Sequence, residues 1–503
     1  MAALRQIGFR EPERAWSIAH HLVRVARGLS PSLAPIDRLF DAVVRSFDPE
    51  RGLSNLDALF SQADDRSAAE LFRLIDQQPG VAPALTALCA GSQYLSNLII
   101  HDPTLFLALA AESPDWRLRS RAEMSRALSA ALDTVTTLDA CLACLRAFKK
   151  REDLRIGLCD LLKHADTVDI VQSLSDVADV CLQGAYEVCT TLLERQHGPP
   201  VLRDETGSRP CEFAVIGMGK LGGQELNFSS DIDLLYVYSS TDGATTFSQL
   251  STYEYYPKLA RMITDAVSRI TPDGFAFRVD LRLRPEGRAG DIANSVDGYR
   301  WHYDALGQIW ERQALIKART VAGSAAVGDR FFDAIRPFVF HPEADPLVLD
   351  DIHRMRLKIN RALLERGKGD RNVKLGPGGI REIEFIVQGF QLIYGGAQDW
   401  PWERNTLRAL AWITRHGYLT EHEATDLRDA YLFLRDLENR IQMAAGHQTH
   451  DIPQGERERA TLARTIGLAG RSDEESADLL LTRYRTHTGR VRQIYERVFH
   501  STL

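Results

Sequence analysis

The sequence lacks an excess of positive charge: 61 Lys and Arg stand against 68 Asp and Glu, for a formal net charge of −7. Proteins that bind by neutralising a phosphate backbone usually carry a basic excess or stripe. Nucleic acid is therefore not expected as the main partner, whereas an acidic or neutral protein substrate stays open. Cysteine is scarce and scattered, at Cys89, Cys141, Cys144, Cys159, Cys181, Cys189 and Cys211. An odd number in a chain this long argues against a disulfide framework. Cys141 and Cys144 make one C-x-x-C, but no second pair or nearby histidine pair completes a zinc site, and DACLACLRAF reads as amphipathic helix. No run of about 18 uninterrupted apolar residues occurs. The opening MAALRQIGFREPERAW carries charge throughout and has no apolar signal-peptide core. No membrane partner is expected, and a reducing, cytoplasmic location is.

What is present is an ordinary globular composition of 503 residues, 44% hydrophobic and 26% charged, enough for about two to four domains. Strand-like alternation is nearly absent before about residue 200. EPERAWSIAHHLVRVARGL, LAPIDRLFDAVVRSF, DPTLFLALAAESP, KREDLRIGLCDLLKHAD and VDIVQSLSDVADVCLQGAYEVCTTLLERQ all follow a helical period. A polar Gly/Pro-rich break at 197–210 marks a boundary. Beyond it, CEFAVIGMG, DLLYVYS and FAFRVDLRLRP read as strands, with STYEYYPKLARMITDAVSRI as a helix between the last two. Helical pattern then resumes in VDGYRWHYDALGQIWERQALIKART, in DIHRMRLKINRALLERG with its stop GKGD, in IREIEFIVQGFQLIYGG after GPGG, and in two long C-terminal runs. The expected organisation is a helical region at 1–205, an α/β catalytic domain at 206–335 and a helical bundle at 336–503. The fold class is α+β, mostly α.

The chemistry concentrates in VIGMGKLGGQELNFSSDIDLLYVY, residues 215–238. Its glycines suggest a dinucleotide loop, but such a fold places its ribose-binding acid at the end of the second strand, roughly 20 residues on. Here Asp231 and Asp233 precede the apolar run LLYVY. Residues two apart at a strand start project to one face, and two carboxylates there repel unless a cation lies between them. Asp280, in FRVDLRL, supplies a third acid on a neighbouring strand. Hard oxygen donors suit Mg2+, and two such ions can serve an in-line displacement at phosphorus. Arg282 and Arg284 alternate along the strand of Asp280, on its face, where they suit phosphate oxygens. Gly219, Lys220 and Ser230 sit in the connecting loop, whose N–H groups suit a phosphate.

These residues resemble a family. GMGKLGGQELNFSSDIDL, VDLRLRPEGRAG, WERQALIKAR, GPGGIREIEFIVQ, FKKREDLRIGLCDL and DLENRIQM…HQTHDIP are similar to the bifunctional glutamine synthetase adenylyltransferase/adenylyl-removing enzymes, from about residue 85 to the end. The resemblance implies a nucleotidyltransferase fold of the polymerase-β type set among helical bundles. It implies glutamine synthetase as protein substrate, phosphate and ADP or ATP as small substrates, and the PII signal protein as regulator. Family members usually carry two catalytic copies in a chain about twice as long, one removing AMP and one adding it. ELNFSSDIDL is similar to the removing copy, and only one S-D-x-D is present. The chain thus reads as an N-terminal half or a one-domain relative, with removal of AMP by phosphorolysis as the implied activity. The acids alone leave the direction open, since both directions share the same metal chemistry. ATP-dependent adenylylation, a non-catalytic regulatory module and a uridylyl-transferring relative remain the alternatives.

Secondary candidates have structural readings beside functional ones. Glu311, Arg312, Lys317 and Arg319 lie in WERQALIKAR; Arg312 and Arg319, seven apart, share a helix face, either reaching the nucleotide or phosphate or pairing on the surface. Arg381, Glu382 and Glu384 follow GPGG at a helix start, where acids complement the dipole and the loop suits an anion. His447 and His450 read as capping or solvated loop residues more readily than as metal ligands. Trp301 and Trp310 read as core.

Overall fold

The computed structural model describes every residue except 1–3, 5–8, 113–114, 205–206, 342, 344–346, 366–370, 398–399 and 501–503. The GKGD stop, at 367–370, lies outside the described residues. The chain is α+β and mostly helical. Helices run from Pro12–Leu29 through Thr167–His197 before any strand, and from Ala325–Val339 to Asp473–His500 after the last one. DACLACLRAF and KREDLRIGLCDLLKHAD are one 24-residue helix, Leu138–Leu161. It starts where the Thr137 side chain accepts the Ala140 N–H, satisfying one of the donors that a helix start leaves open. The next helix, Thr167–His197, is capped in the same way by Asp166 and stops at Gly198, with φ +76°.

Among the described residues eight strands follow: β1 (Pro200–Asp204), β2 (Gly207–Pro210), β3 (Phe213–Met218), β4 (Ile232–Tyr238), β5 (Ala244–Thr245), β6 (Val279–Asp280), β7 (Ala293–Ser295) and β8 (Arg319–Gly323). The 197–210 segment is therefore not a plain break: β1 and β2 pair antiparallel, and β1 also pairs with β5. The main sheet runs β6-β4-β3-β8. β3 is antiparallel to both β4 and β8, and β6 and β7 lie parallel along successive parts of one β4 edge.

Strands β3 and β4 are buried on both faces, which explains their lack of polar alternation. Phe213 and Val215, with Ile232, Leu234 and Tyr236, face a core built from the N-terminal helices. Ala214, Ile216 and Met218, with Leu235 and Val237, face a second core built from the C-terminal helices. The sheet is the shared wall between two helical masses, and the catalytic candidates stand at one end of it.

Three expectations are corrected. FAFRVDLRLRP is not a continuous strand: only Val279–Asp280 pair with β4, and the chain leaves the sheet at Leu281, rejoining it as β7. The run VDGYRWHYDALGQIWERQALIKART is two helices, Val296–Leu306 and Ile309–Leu315, followed by β8. The helices part at Gly307, which the Tyr303 carbonyl and the Phe338 ring crowd on its side-chain side, and Gln308 opens the second with a capping box to Glu311. Trp301 and Trp310 are not core, being 64% and 42% exposed.

Gly222, in the turn after β3, has the Lys317 carbonyl oxygen 1.7 Å from where a Cβ would be built. Backbone cannot yield there as a side-chain tip can, so Gly222→Ala is expected to cost about 3 kcal/mol, at the upper end of overpacking penalties. Urea unfolding measures this; an unchanged midpoint would contradict the close approach.

Candidate active site

Strand register creates the acidic cluster. Asp233 is the second residue of β4 and is directly paired with Asp280 of β6, while Asp231 immediately precedes β4. On the other side of Asp233 lies Met218, the last residue of β3, and the chain then turns through the single helical turn Gly219–Gly222. Gly219 has φ +53°, and a Cβ on it would stand 2.8 Å from Asp233 Oδ2. Glycine is required there both for the left-handed backbone and for the approach to the carboxylate.

Each acid has a different environment. The Arg278 Nε donates to Asp231 Oδ1, and the Arg278 guanidinium also donates to the Ser229 carbonyl. Asp280 accepts the Arg282 backbone N–H at 2.8 Å and the Arg282 guanidinium, which together hold its carboxyl below the usual range. Asp233 has no such arginine. Burial, then the neighbouring Asp280 and Asp231 carboxylates, push it up to about 6, against the pull of Lys374 and Arg282.

These acids line a cleft of about 630 Å³ together with Gly219, Lys220, Ser230, Arg282, Arg381 and Glu384, a volume in the range of small-molecule sites. Nine of the thirteen candidate residues are thus brought together. Four are not. Arg284 is spent on the loop after β6, its guanidinium donating to the Leu281, Arg288 and Gly290 carbonyls. It shares no strand with Asp280, because those bonds hold the chain in a turn. Arg319 lies on β8 rather than a helix, bonded to Asp179 at 2.7 and 2.9 Å and to the Leu221 and Gly222 carbonyls. It shares no helix face with Arg312, which is buried and donates to the Val339 carbonyl. Glu311 completes the capping box and meets His302 Nε2 at 3.1 Å.

Within the cleft several charges are committed to one another. Lys317 is buried between Glu225 (2.6 Å) and Glu384 (2.8 Å). Burial works to raise Glu384, but Lys317 and Arg381 hold it well below the carboxylate range. Lys220 Nζ reaches Glu438 at 2.8 and 2.9 Å, and burial nonetheless brings it down to about 7. Its backbone stays at the cleft, but its ammonium is occupied. His450 Nδ1 lies 2.8 Å from the same Glu438, so His450 joins this buried cluster rather than a solvated loop. His447 is exposed, its Nδ1 3.0 Å from the Ala445 carbonyl.

The sequence reading missed Lys374, Gln313, Gln388, Trp310 and Gln448 as cleft residues. Lys374 has no ion pair among the described residues and is the cation that most lowers Asp233. Its proximity to GPGG was the available signal.

The donor set suits a divalent cation, because three carboxylates at one strand end, one of them raised by burial and by its two neighbours, are relieved by positive charge. As the side chains stand, no group of three or more acidic, His or Cys residues among the described residues is placed to hold a metal. Arg278 and Arg282 occupy two of the three acids, and a cation at all three requires those pairs to open.

The glutamate-ammonia ligase adenylyltransferase family model matches residues 83–334, and the GlnD PII-uridylyltransferase model matches residues 353–499. Relatives named bifunctional glutamine synthetase adenylyltransferase/adenylyl-removing enzyme include that of Thioalkalivibrio sulfidiphilus, 36% identical over 86% of this chain and 44% of its own length. Another, from Pseudomonas putida, is 35% identical over 76% of this chain and 39% of its own. A third, from Xanthomonas campestris pv. campestris, is 38% identical over 65% of this chain and 34% of its own. The chain spans less than half the length of these relatives.

The raised Asp233 carboxyl has a consequence for stability. Its folded pKa of about 6 exceeds the ordinary 3.8, so its charge opposes folding once pH rises through that window. In metal-free protein, Asp233→Asn is expected to raise Tm at pH 7.5 and to lose the gain near pH 4. Thermal melts across pH check this, and a gain independent of pH would contradict it.

Proposed function

We propose that this chain, which belongs to the glutamate-ammonia ligase adenylyltransferase family, removes AMP from an adenylyl-tyrosine of glutamine synthetase by phosphorolysis. The observation that carries the nucleotidyl-transfer reading is the Asp233–Asp280 strand pair with Asp231 beside it, facing Lys374 and Arg381 across one cleft. The relatives' names contain both the adding and the removing activity. Assignment of this chain to removal rests on the resemblance of ELNFSSDIDL to the removing copy.

In the proposed reaction an oxygen of inorganic phosphate attacks the AMP phosphorus. The bond from phosphorus to the tyrosine oxygen breaks, that oxygen takes up a proton, and ADP leaves. Phosphate is already an anion, so the site needs no strong base, and positioning with charge stabilisation suffices. Asp231, Asp233 and Asp280 would hold Mg2+, in one or two ions, which when bound neutralises the developing charge on the phosphoryl oxygens. Lys374, Arg381 and, once free of Asp280, Arg282 face the anionic substrates. Gly219 lets the turn after β3 approach Asp233 closely, leaving the backbone N–H groups of Gly219 and Lys220 at the cleft for a phosphate.

On this reading the β3–β4 platform with its acids at one end is a polymerase-β-type nucleotidyltransferase fold. The similarity of 353–499 to a PII-uridylyltransferase model supports PII as a regulator.

Adenylylated glutamine synthetase incubated with this chain, Mg2+ and phosphate should release ADP, and Asp231→Asn or Asp233→Asn should lower the rate by at least a thousandfold with the fold intact by circular dichroism. Retained phosphorolysis in either variant would overturn the site. Label moving from ATP onto unmodified synthetase, without ADP release from the modified form, would reverse the direction.

A further inference from the structure

A second cavity, of about 620 Å³, lies behind the catalytic loop and shares Ser230 with the cleft. One wall is the helix Leu138–Leu161, which presents Arg146, Lys149, Lys150 and Asp153 at the i, i+3, i+4 and i+7 spacing of a single face. The facing wall is Leu226–Ser230 with the segment from Pro272 to Arg278, and it brings Phe228, Phe275 and Phe277. Tyr94, His101 and Gly446 also line it. Lys149, Lys150 and Asp153 belong to the FKKRED stretch, which the catalytic cleft does not use.

The charges in this cavity do not cancel. Lys149 is paired with Asp153, which also accepts the Tyr94 hydroxyl at 2.6 Å, and Lys149 lies 5.1 Å from the Phe277 ring centroid. Arg278 is paired with Asp231. Asp273 stands exposed at the rim. Arg146 is left over: it is 93% buried by its 7% exposure, its Nε is buried without a partner, and no hydrogen bond or ion pair reaches its guanidinium among the described residues. Lys150, half-buried four residues on, has no ion pair among the described residues either. A largely buried guanidinium without a counter-ion is unfavourable, because little offsets its desolvation. Its planar donor fork matches carboxylate and phosphate geometry.

We infer that this cavity is a binding site for a small oxyanion, a carboxylate or phosphate, with Arg146 as its anchor and Lys150 as the second cation. The space exceeds that of a bare oxyanion, and its three phenylalanine rings suit an apolar or planar body attached to the anionic group. The site adjoins the nucleotidyl-transfer cleft at Ser230 but does not depend on the reaction proposed for that cleft.

Calorimetric titration of the whole chain, free of metal and nucleotide, tests this with inorganic phosphate and with benzoate. The parent is an Arg282→Gln/Lys374→Gln variant, which removes cleft cations that would also take up anions. The parent should bind one equivalent, adding Arg146→Met should weaken binding at least tenfold, and adding Lys150→Gln, at a half-buried rim position, should weaken it about threefold. Arg146→Met should also melt higher than its parent without anion, because an unpaired buried charge has been removed. Tighter binding of benzoate than of phosphate would identify an organic anion as occupant, and the reverse inorganic phosphate. Absence of binding to the parent, or binding undiminished by either added substitution, would overturn the site.

Discussion

The candidate site depends on a set of buried ion pairs that join the β3–β4 loop to the C-terminal helices. Glu225 is their node: one carboxylate oxygen accepts from Lys317 and the other from the Thr406 backbone N–H, while its own carbonyl accepts from Arg435. Arg435 reaches Asn227 Oδ1 and Glu438, and Glu438 holds Lys220. The loop running toward Asp231 is thereby tied at Lys220, Glu225 and Asn227 to the helix Glu421–Ala445 and its neighbours. Such pairs contribute little net stability, because desolvation offsets attraction, but removing one partner typically costs about 3–5 kcal/mol. Their consequence here is positional. They fix where the chain enters β4, and hence where its first carboxylates stand.

That constraint operates on a sheet already clamped from both sides. β3 and β4 alternate their side chains between two cores, one from each helical mass, so a one-residue slip would exchange every core contact. Register is therefore strongly specified, and the Asp233–Asp280 pairing follows from it. Packing brings the acids together and the arginines answer the resulting repulsion, Arg278 at Asp231 and Arg282 at Asp280. Asp233, paired with neither arginine, has a raised affinity for a proton, chiefly from its burial and then from the neighbouring carboxylates. A site in this state is poised to exchange those cations for others.

Much of this was legible in the sequence where local geometry decides the outcome. Two acids two residues apart at the head of an apolar run project to one side of a strand whatever surrounds them. The helical runs before residue 200 are long enough for periodicity to identify them, although it split the helix Leu138–Leu161 in two. Non-local hydrogen bonding was not legible. Nothing in FRVDLRLRP shows that the Arg284 guanidinium binds the carbonyls of its own loop and takes the chain off the sheet after Asp280. Nothing in WERQALIKAR shows that Gly307 ends one helix before it, or that its last arginine lies on a strand against Asp179. Lys374 enters the cleft from a segment more than 90 residues beyond Asp280, a distance across which pattern carries no information. Arg146 was not legible either: it lies two residues before FKKRED in a run that reads as amphipathic helix, and only its burial without a partner shows what the position demands.

The most direct test of a metal-dependent nucleotidyl-transfer site here is anomalous diffraction from crystals of this chain grown with Mn2+ and ADP. The account predicts a manganese peak ligated by the Asp231 and Asp233 carboxylates with Asp280 beside it, and Arg278 turned away from Asp231. Manganese bound elsewhere at saturating concentration, with both aspartate–arginine pairs intact, would contradict it.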